Sequence, residues 1–470
     1  MEKSPKTPNR TQQMIRANQI SYLLISFNVG LSDITSLATN YLFKDRFQIS
    51  PSYLTQLQTI TVLPWILKPV FGIIIDFFPI FGYRRKIYLL MTGIVNSICW
   101  ILMGFYAHSI LNVIILQTIV NSTLSLSTVI GQATVVELSK IKGNDSKNLI
   151  SLYTFFKFVG VFASSFLKGY LLEQFSIQFV FLAASSIPLT LVISGIILKE
   201  KRYNYHFGEK NIDDKNEQLV KTESSKLEPT NKVSLCTKLI LFYFQKRIII
   251  PTSFIIFLLL CPPSYDKQMF YYNSEKLHFT PQIFGLIFLI STIASLIVIQ
   301  IYKRCLVKLE FLYIICFARF GYFIGVVLNY LIIERYNIKY GVSDYISSIL
   351  SSIIQNSMRE LTLLPVFSLA VSLCPRDLEG TIYSIFMSSI TLGTQFGALT
   401  GSFISNYLGI TKENYDNLGF YVQILSLFTL MPLLVLCFLP KHYFNGEKEE
   451  KVEQGKELEE VKENKNEKKV

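Results

Sequence analysis

The residues that could do chemistry in this chain lie inside long apolar stretches, where polar groups need a reason to be. Residues spaced 4, 3 and 4 apart share one face of a helix. Asn28, Ser32, Thr35 and Thr39 form such a face, and so do Asn121, Ser125, Thr128 and Gln132. Ser348, Ser352, Gln355 and Arg359 repeat it, followed by Ser384, Ser388, Thr391 and Gln395. Four polar faces cannot all turn to lipid, and together they are expected to line a shared interior cavity. Charge sharpens this expectation, because an ionised side chain at a helix centre costs about 2.5–3.5 kcal/mol to insert. Lys68, Lys157 and Arg359 are read as an internal positive field, and Trp65 shares the face of Lys68. Such a cavity suits an amphiphilic anion: Lys and Arg pair with carboxylate, Gln132, Gln355 and Gln395 read ring amides, and Trp65 stacks. Buried acids (Asp33, Asp76, Glu137 or Glu360) could exchange protons. Lys168 and Glu137, near helix ends, are expected to reach an interface instead.

These side chains must be positioned by membrane-spanning helices. The chain has 470 residues, 50% of them apolar and only 17% charged, with mean hydropathy +0.38. A spanning helix needs about 20 mostly apolar residues. That window predicts helices near 20–43, 52–78, 86–107, 110–138, 149–172 and 176–198, then 248–272, 281–302, 310–333, 346–373, 378–406 and 419–439. Residues 1–19 lack the apolar core of a signal peptide and form a basic tail. The insert 199–247 is charged and too poor in large apolar groups to fold on its own, so a disordered linker is expected there. Residues 441–470 make a Glu/Lys-rich tail. Lys and Arg gather in one set of loops (Arg84, Arg85, Lys86, Lys140, Lys142, Lys147, Lys303, Arg304, Lys308, Arg376), which places both termini in the cytoplasm. The net charge of +12 is then a matter of loops facing anionic lipid rather than of nucleic acid. Seven scattered cysteines and four histidines give neither a disulfide framework nor a metal site, and no cofactor is expected. With no nucleotide-binding GxxxxGK[ST] loop and no hydrolase motif, the chain is read as neither an ATP-driven pump nor an enzyme.

The stretch Pro64–Tyr88, PWILKPVFGIIIDFFPIFGYRRKIY, resembles the diagnostic segment of the folate–biopterin transporter family, a branch of the major facilitator superfamily. Pro64, Trp65, Lys68, Pro69, Gly72, Asp76, Pro79, Gly82, Tyr83, Arg84 and Arg85 match its pattern. Further similar segments are ATVVE at 133–137, PPSYDKQMFYY at 262–272, LHFTPQIFG at 277–285, GVSD at 341–344 and LCPRDLEGT at 373–381. The resemblance implies an all-α integral membrane fold with twelve helices in two six-helix bundles rocking about a midplane site. It also implies folates and pterins as substrates, although some relatives carry other solutes, S-adenosylmethionine among them. Gly72, Asp76, Gly82, Arg84 and Arg85 resemble the superfamily's cytoplasmic gate, in which Asp76 would accept from Arg84 or Arg85 and latch the bundles. The chain departs from the family by carrying Gln132 where an acid is usual, so proton coupling would fall to Glu137.

The expected function is secondary transport of a folate- or pterin-like solute by a proton-linked symporter, acting as a monomer among lipids in the plasma membrane. A carrier of another small organic anion, an amino acid or an S-adenosylmethionine-like solute would fit the same residues. A membrane receptor or scaffold that has lost turnover is the rival from outside the class.

Overall fold

A computed structural model describes residues 10–139, 146–200, 202, 246–261, 263–306, 309–372 and 379–438. The expected tail 441–470 and most of the expected linker 199–247 lie outside the described residues. Among the described residues the elements are helical, apart from one isolated bridge between Ile80 and Tyr83. Among the described residues nine spans are long and apolar enough to cross a membrane, several of them built from consecutive helical pieces. Two long, more polar helices, Asp344–Ser372 and Glu379–Tyr407, and the broken pair Lys246–Leu260 and Asp266–Glu275 bring the set to twelve crossings.

Helix 1 runs Arg10–Leu31, passes through a 3-10 turn at Ser32–Thr35, resumes over Ser36–Tyr41 and ends in a π turn at Leu42–Arg46. Helix 2 is Pro51–Val62, a 3-10 turn at Leu63–Trp65, then Lys68–Phe77. Helices 3, 4 and 5 are Lys86–Tyr106, Ile110–Ser139 and Ser146–Gln174. Helix 6 is made of Ile177–Ala184 and Leu189–Ile197. In the second half, helix 7 is Lys246–Leu260 followed by Asp266–Glu275. Helices 8 to 11 are Pro281–Ile301, Phe311–Ile333, Asp344–Ser372 and Glu379–Tyr407, and helix 12 is Leu418–Phe428 with Met431–Phe438.

The breaks follow from the sequence. Proline has no N–H and cannot continue a helical ladder, so Pro64 and Pro69 open helix 2 just where the PWxxKP segment lies. The loosened turn is held by Ile66 N donating to Leu63 O at 2.9 Å and by Ser125 of helix 4 donating to Pro64 O at 3.1 Å. In helix 7 the prolines at 262 and 263 remove donors that the preceding carbonyls need. Arg319 of helix 9, only 3% exposed, supplies replacements by donating to Leu258 O and, at 2.9 Å, to Cys261 O. Arg319 thus mends from helix 9 a helix end that the prolines leave short of donors.

The halves pack through helix 2 on helix 11 and helix 5 on helix 8. Adding six to each number exchanges these two pairs, the signature of a pseudo-two-fold axis between inherited repeats. Small residues set the helix 5–helix 8 seam and the packing of helix 11 inside the second half. A Cβ on Gly397 would lie 2.9 Å from Leu260 O and one on Gly393 2.7 Å from Ile256 O, so the glycine face of helix 11 beds directly on helix 7. A Cβ on Gly169 would lie 2.7 Å from the Cα of Gly285, which lets helix 5 touch helix 8 backbone to backbone.

Candidate functional site

Two tight crossings place the first charged pair. Gly30 and Gly160 bring helices 1 and 5 into backbone contact, and Gly169 and Gly285 do the same for helices 5 and 8. Lys168 lies between these contacts, 3% exposed. Its Nζ is 2.7 Å from Asp33 Oδ2, on the 3-10 turn of helix 1, and 3.8 Å from the centroid of the Phe288 ring on helix 8. The sequence reading sent Lys168 to the interface; the structure buries it across the seam, because the glycines leave no gap for it to leave by. The Asp33 side chain stays 43% exposed. Beside it, Lys267 of helix 7 donates to Asn40 Oδ1 at 2.9 Å, and Gln58 donates to the same oxygen at 2.9 Å.

A second group surrounds the break in helix 2. Lys68 is 5% exposed, with Nζ 4.5 Å from the centroid of the Trp65 ring. The Trp65 indole N–H donates to Asn121 Oδ1 at 2.9 Å, Asn121 donates to Gln117 O at 3.0 Å, and Gln117 donates to Thr39 at 3.0 Å. This relay fixes the ring and therefore the ammonium. Lys157 of helix 5 is exposed and within electrostatic reach of Lys68 on one side and Glu360 on the other; Arg359 also acts on Glu360. The structure therefore draws Trp65, Lys68, Lys157, Arg359 and Glu360, from helices 2, 5 and 10, into one electrostatic neighbourhood.

Other expected residues go elsewhere. Gln355 is absorbed by packing: its carbonyl accepts from Tyr265 OH at 2.6 Å, and its Nε2 donates to Gly325 O and to Ser351 at 3.1 and 2.7 Å. Its groups are satisfied within the second half, where the expectation had it reading the ring amides of a solute. Gln132 keeps a buried Oε1 with no protein partner, and Gln395 is half-buried. The helix 1 stripe does not line a shared central cavity. Asn28 turns to helix 6, donating to Ile187 O and Thr190 Oγ1, both at 2.9 Å, and Thr39 meets helix 4. A polar face is satisfied as well by a neighbouring helix as by a wet cavity, and sequence spacing alone does not distinguish them. The side chains of Asp76 and Glu137 lie outside the described residues. Around the expected gate, Phe81 and Gly82 have φ of 51° and 82°. Ile80 and Tyr83 exchange backbone hydrogen bonds of 3.0 and 2.9 Å across this turn. Glu200 then accepts from the backbone N–H of Arg84, Arg85 and Lys86 at 3.0, 3.1 and 3.2 Å, capping helix 3 from the end of helix 6.

Polar contacts between the halves gather at the end carrying the loops after helices 1 and 7. Lys44 Nζ meets Glu275 Oε1 at 2.5 Å, Tyr271 donates to Ile49 O at 2.8 Å, and Ser52 donates to Ser405 at 3.0 Å. Gln56 donates to Ser402 at 2.9 Å. This end is sealed, and the Lys68 group lies toward the other.

Similar solved structures are the nucleoside transporter NupG (TM-score 0.63, 12% identity, 92% of this chain and 99% of that one) and a D-xylose-proton symporter (TM-score 0.65, 13% identity, 93% and 99%). Two matched six-helix halves around a charged seam define an all-α membrane protein of the major facilitator fold. Within that class, the BT1 family model matches residues 29–458, and the chain belongs to the BT1 family. Similar curated proteins are folate transporter 2 of Plasmodium falciparum, 28% identical over 441 residues (93% of this chain, 91% of the relative), and the folate-biopterin transporter of Synechocystis sp., 29% over 422 residues (90% and 81%).

Proposed function

We propose that this protein carries a folate- or pterin-like solute across the plasma membrane by alternating access, driven by proton exchange, with both termini in the cytoplasm. The carrying observation is the pairing of a sealed end, held by Lys44–Glu275 and Ser52–Ser405, with the group of Trp65, Lys68, Lys157 and Arg359 beyond it. The names of the relatives support the substrate class, and the chemistry agrees with it. Ammonium and guanidinium groups complement the carboxylates of a folate, and an oriented indole offers its ring a stacking face. Glu360, between Lys157 and Arg359, is the acid best placed to exchange a proton as solute enters; Asp33 is already matched by Lys168. Glu137 and the Asp76 latch remain part of the proposal for the cytoplasmic half.

The test is uptake of labelled folic acid into vesicles holding purified protein, with and without a pH gradient that is acidic outside and neutral inside. Uptake that the gradient accelerates and unlabelled biopterin competes supports the reading. Competition by amino acids but not by pterins would assign the cavity to a different solute.

A further inference from the structure

Helix 5 carries Lys157 and Lys168 about three turns apart, which sets both on one face, separated by about 16 Å along the helix axis. Lys157 belongs to the cationic group around Lys68, and Lys168 marks the far end of the same face, where it holds Asp33. That length is comparable to an extended folate, from the pyrimidine edge of its pteridine to its carboxylates. With the carboxylates at Lys68 and Lys157, the pteridine is brought to the level of Asp33.

Hydrogen-bond arithmetic fits that level to one edge of the ring. The Asp33 side chain stays half-exposed although its cation is buried. A carboxylate offers about four lone-pair positions, all accepting, and Lys168 takes one of them on Oδ2 at 2.7 Å. The contact of Lys168 with the Phe288 ring pins the ammonium, and the ammonium in turn orients the carboxylate. Lys267 of helix 7, within electrostatic reach of Asp33, gives one hydrogen to Asn40 Oδ1 at 2.9 Å. Gln58 donates to the same oxygen at 2.9 Å, so Asn40 anchors the ammonium by one of its three hydrogens. The wall therefore reads acceptor, acceptor, donor from helix 1 to helix 7. A 2-amino-4-oxopyrimidine edge reads donor, donor, acceptor across its amino group, N3–H and 4-oxo oxygen. The patterns are complementary, and two parallel N–H groups meet a carboxylate in the fork that a guanidinium makes with it.

We propose that Asp33, oriented by Lys168, accepts from the 2-amino and N3 hydrogens of a pteridine, while Lys267 donates to its 4-oxo oxygen. The assignment rests on the folate or pterin reading above and makes Asp33 a recognition group rather than a proton carrier. The measurement is inhibition of labelled folic acid uptake in vesicles holding the full chain. Pterin should inhibit at about tenfold lower concentration than lumazine, the 2,4-dioxo analogue whose 2-oxo oxygen would face the carboxylate. The double substitution Asp33→Asn with Lys168→Met leaves no lone charge, and its amide can accept or donate, so that ratio should fall to near one. Lys267→Met should keep the ratio but narrow the preference for pterin over 2,4-diaminopteridine, which turns an amino hydrogen toward Lys267. Guanine carries the same edge as a pterin, and inhibition by guanosine as strong as by pterin would assign the site to a nucleoside and overturn the proposal. Equal inhibition by pterin and lumazine in the unaltered protein, or an unchanged ratio in the double variant, would overturn it while leaving folate transport standing. No inhibition by any pteridine would remove the folate or pterin reading together with it.

Discussion

Trp65 and Lys68 meet across the break in helix 2, the ammonium 4.5 Å from the indole centroid, while the indole N–H is held by Asn121 at 2.9 Å. The ring is thus fixed at its edge and polarised at its face before any solute arrives. The two prolines of the motif create the break, and Ser125 of helix 4 steadies it. Lys68→Met should weaken folate binding by about tenfold, the scale of one lost charge-assisted contact, and biopterin binding much less. Competition by the two solutes in a vesicle uptake assay checks this, and equal loss for both would remove Lys68 as the carboxylate partner.

The pair of Lys168 and Asp33 gives a stability prediction. Lys168→Met leaves a half-exposed carboxylate without its cation, and the expected loss is about 1–3 kcal/mol, less than for a fully buried pair. The double substitution Asp33→Asn with Lys168→Met should recover much of that loss, because no lone charge remains. Thermal unfolding of the three proteins in detergent measures it; a double variant as unstable as the single one would show that Lys168 acts through its contact with Phe288 instead.

The sealed end should respond to pH. Glu275 lies past the apolar run of helix 7, where the hydrogen bond from Lys44 holds its carboxyl below the usual carboxylate range against a smaller opposing effect of burial. A carboxyl depressed in the closed form favours closure above its ordinary pKa and loses that contribution as pH falls through the depressed value. The distance between spin labels on Gln48→Cys and Glu413→Cys, on the loops of the two halves at this end, should therefore widen as the outer medium becomes acidic. In a Glu275→Gln background the distance should lose this dependence.

Gln268 of helix 7 is fully buried with neither its Nε2 nor its Oε1 paired to protein. An amide in that position raises the energy of the closed form by about 1–3 kcal/mol. Gln268→Met, similar in volume and free of hydrogen-bonding demand, should raise the melting temperature and slow turnover together. A higher melting temperature with unchanged uptake would place the burden of Gln268 equally on both conformations.

Asp76→Asn tests the latch at the other end. Protein that inserts and accumulates normally but transports more slowly is the expected outcome, and normal uptake at matched surface level would rule the latch out.

The amino-acid order alone determined the class of protein, the twelve crossings and the place of the PWxxKP break, because apolar length and the missing N–H of proline act within a few turns of one helix. Gly393 and Gly397 make a packing face for a similarly local reason: small residues at one-turn spacing let a neighbouring backbone approach. Partner choice was not legible. The stripes through Asn28 and Gln355 look alike in sequence to a cavity lining, yet one is taken up by helix 6 and the other by Tyr265 and Ser351. Lys168 looks like a lysine free to reach the surface until the glycine contacts of helices 1, 5 and 8 enclose it. Which polar face meets which neighbour depends on how each helix is rotated about its axis. That rotation is fixed by backbone contacts between residues far apart in the chain, so only the assembled molecule decides it.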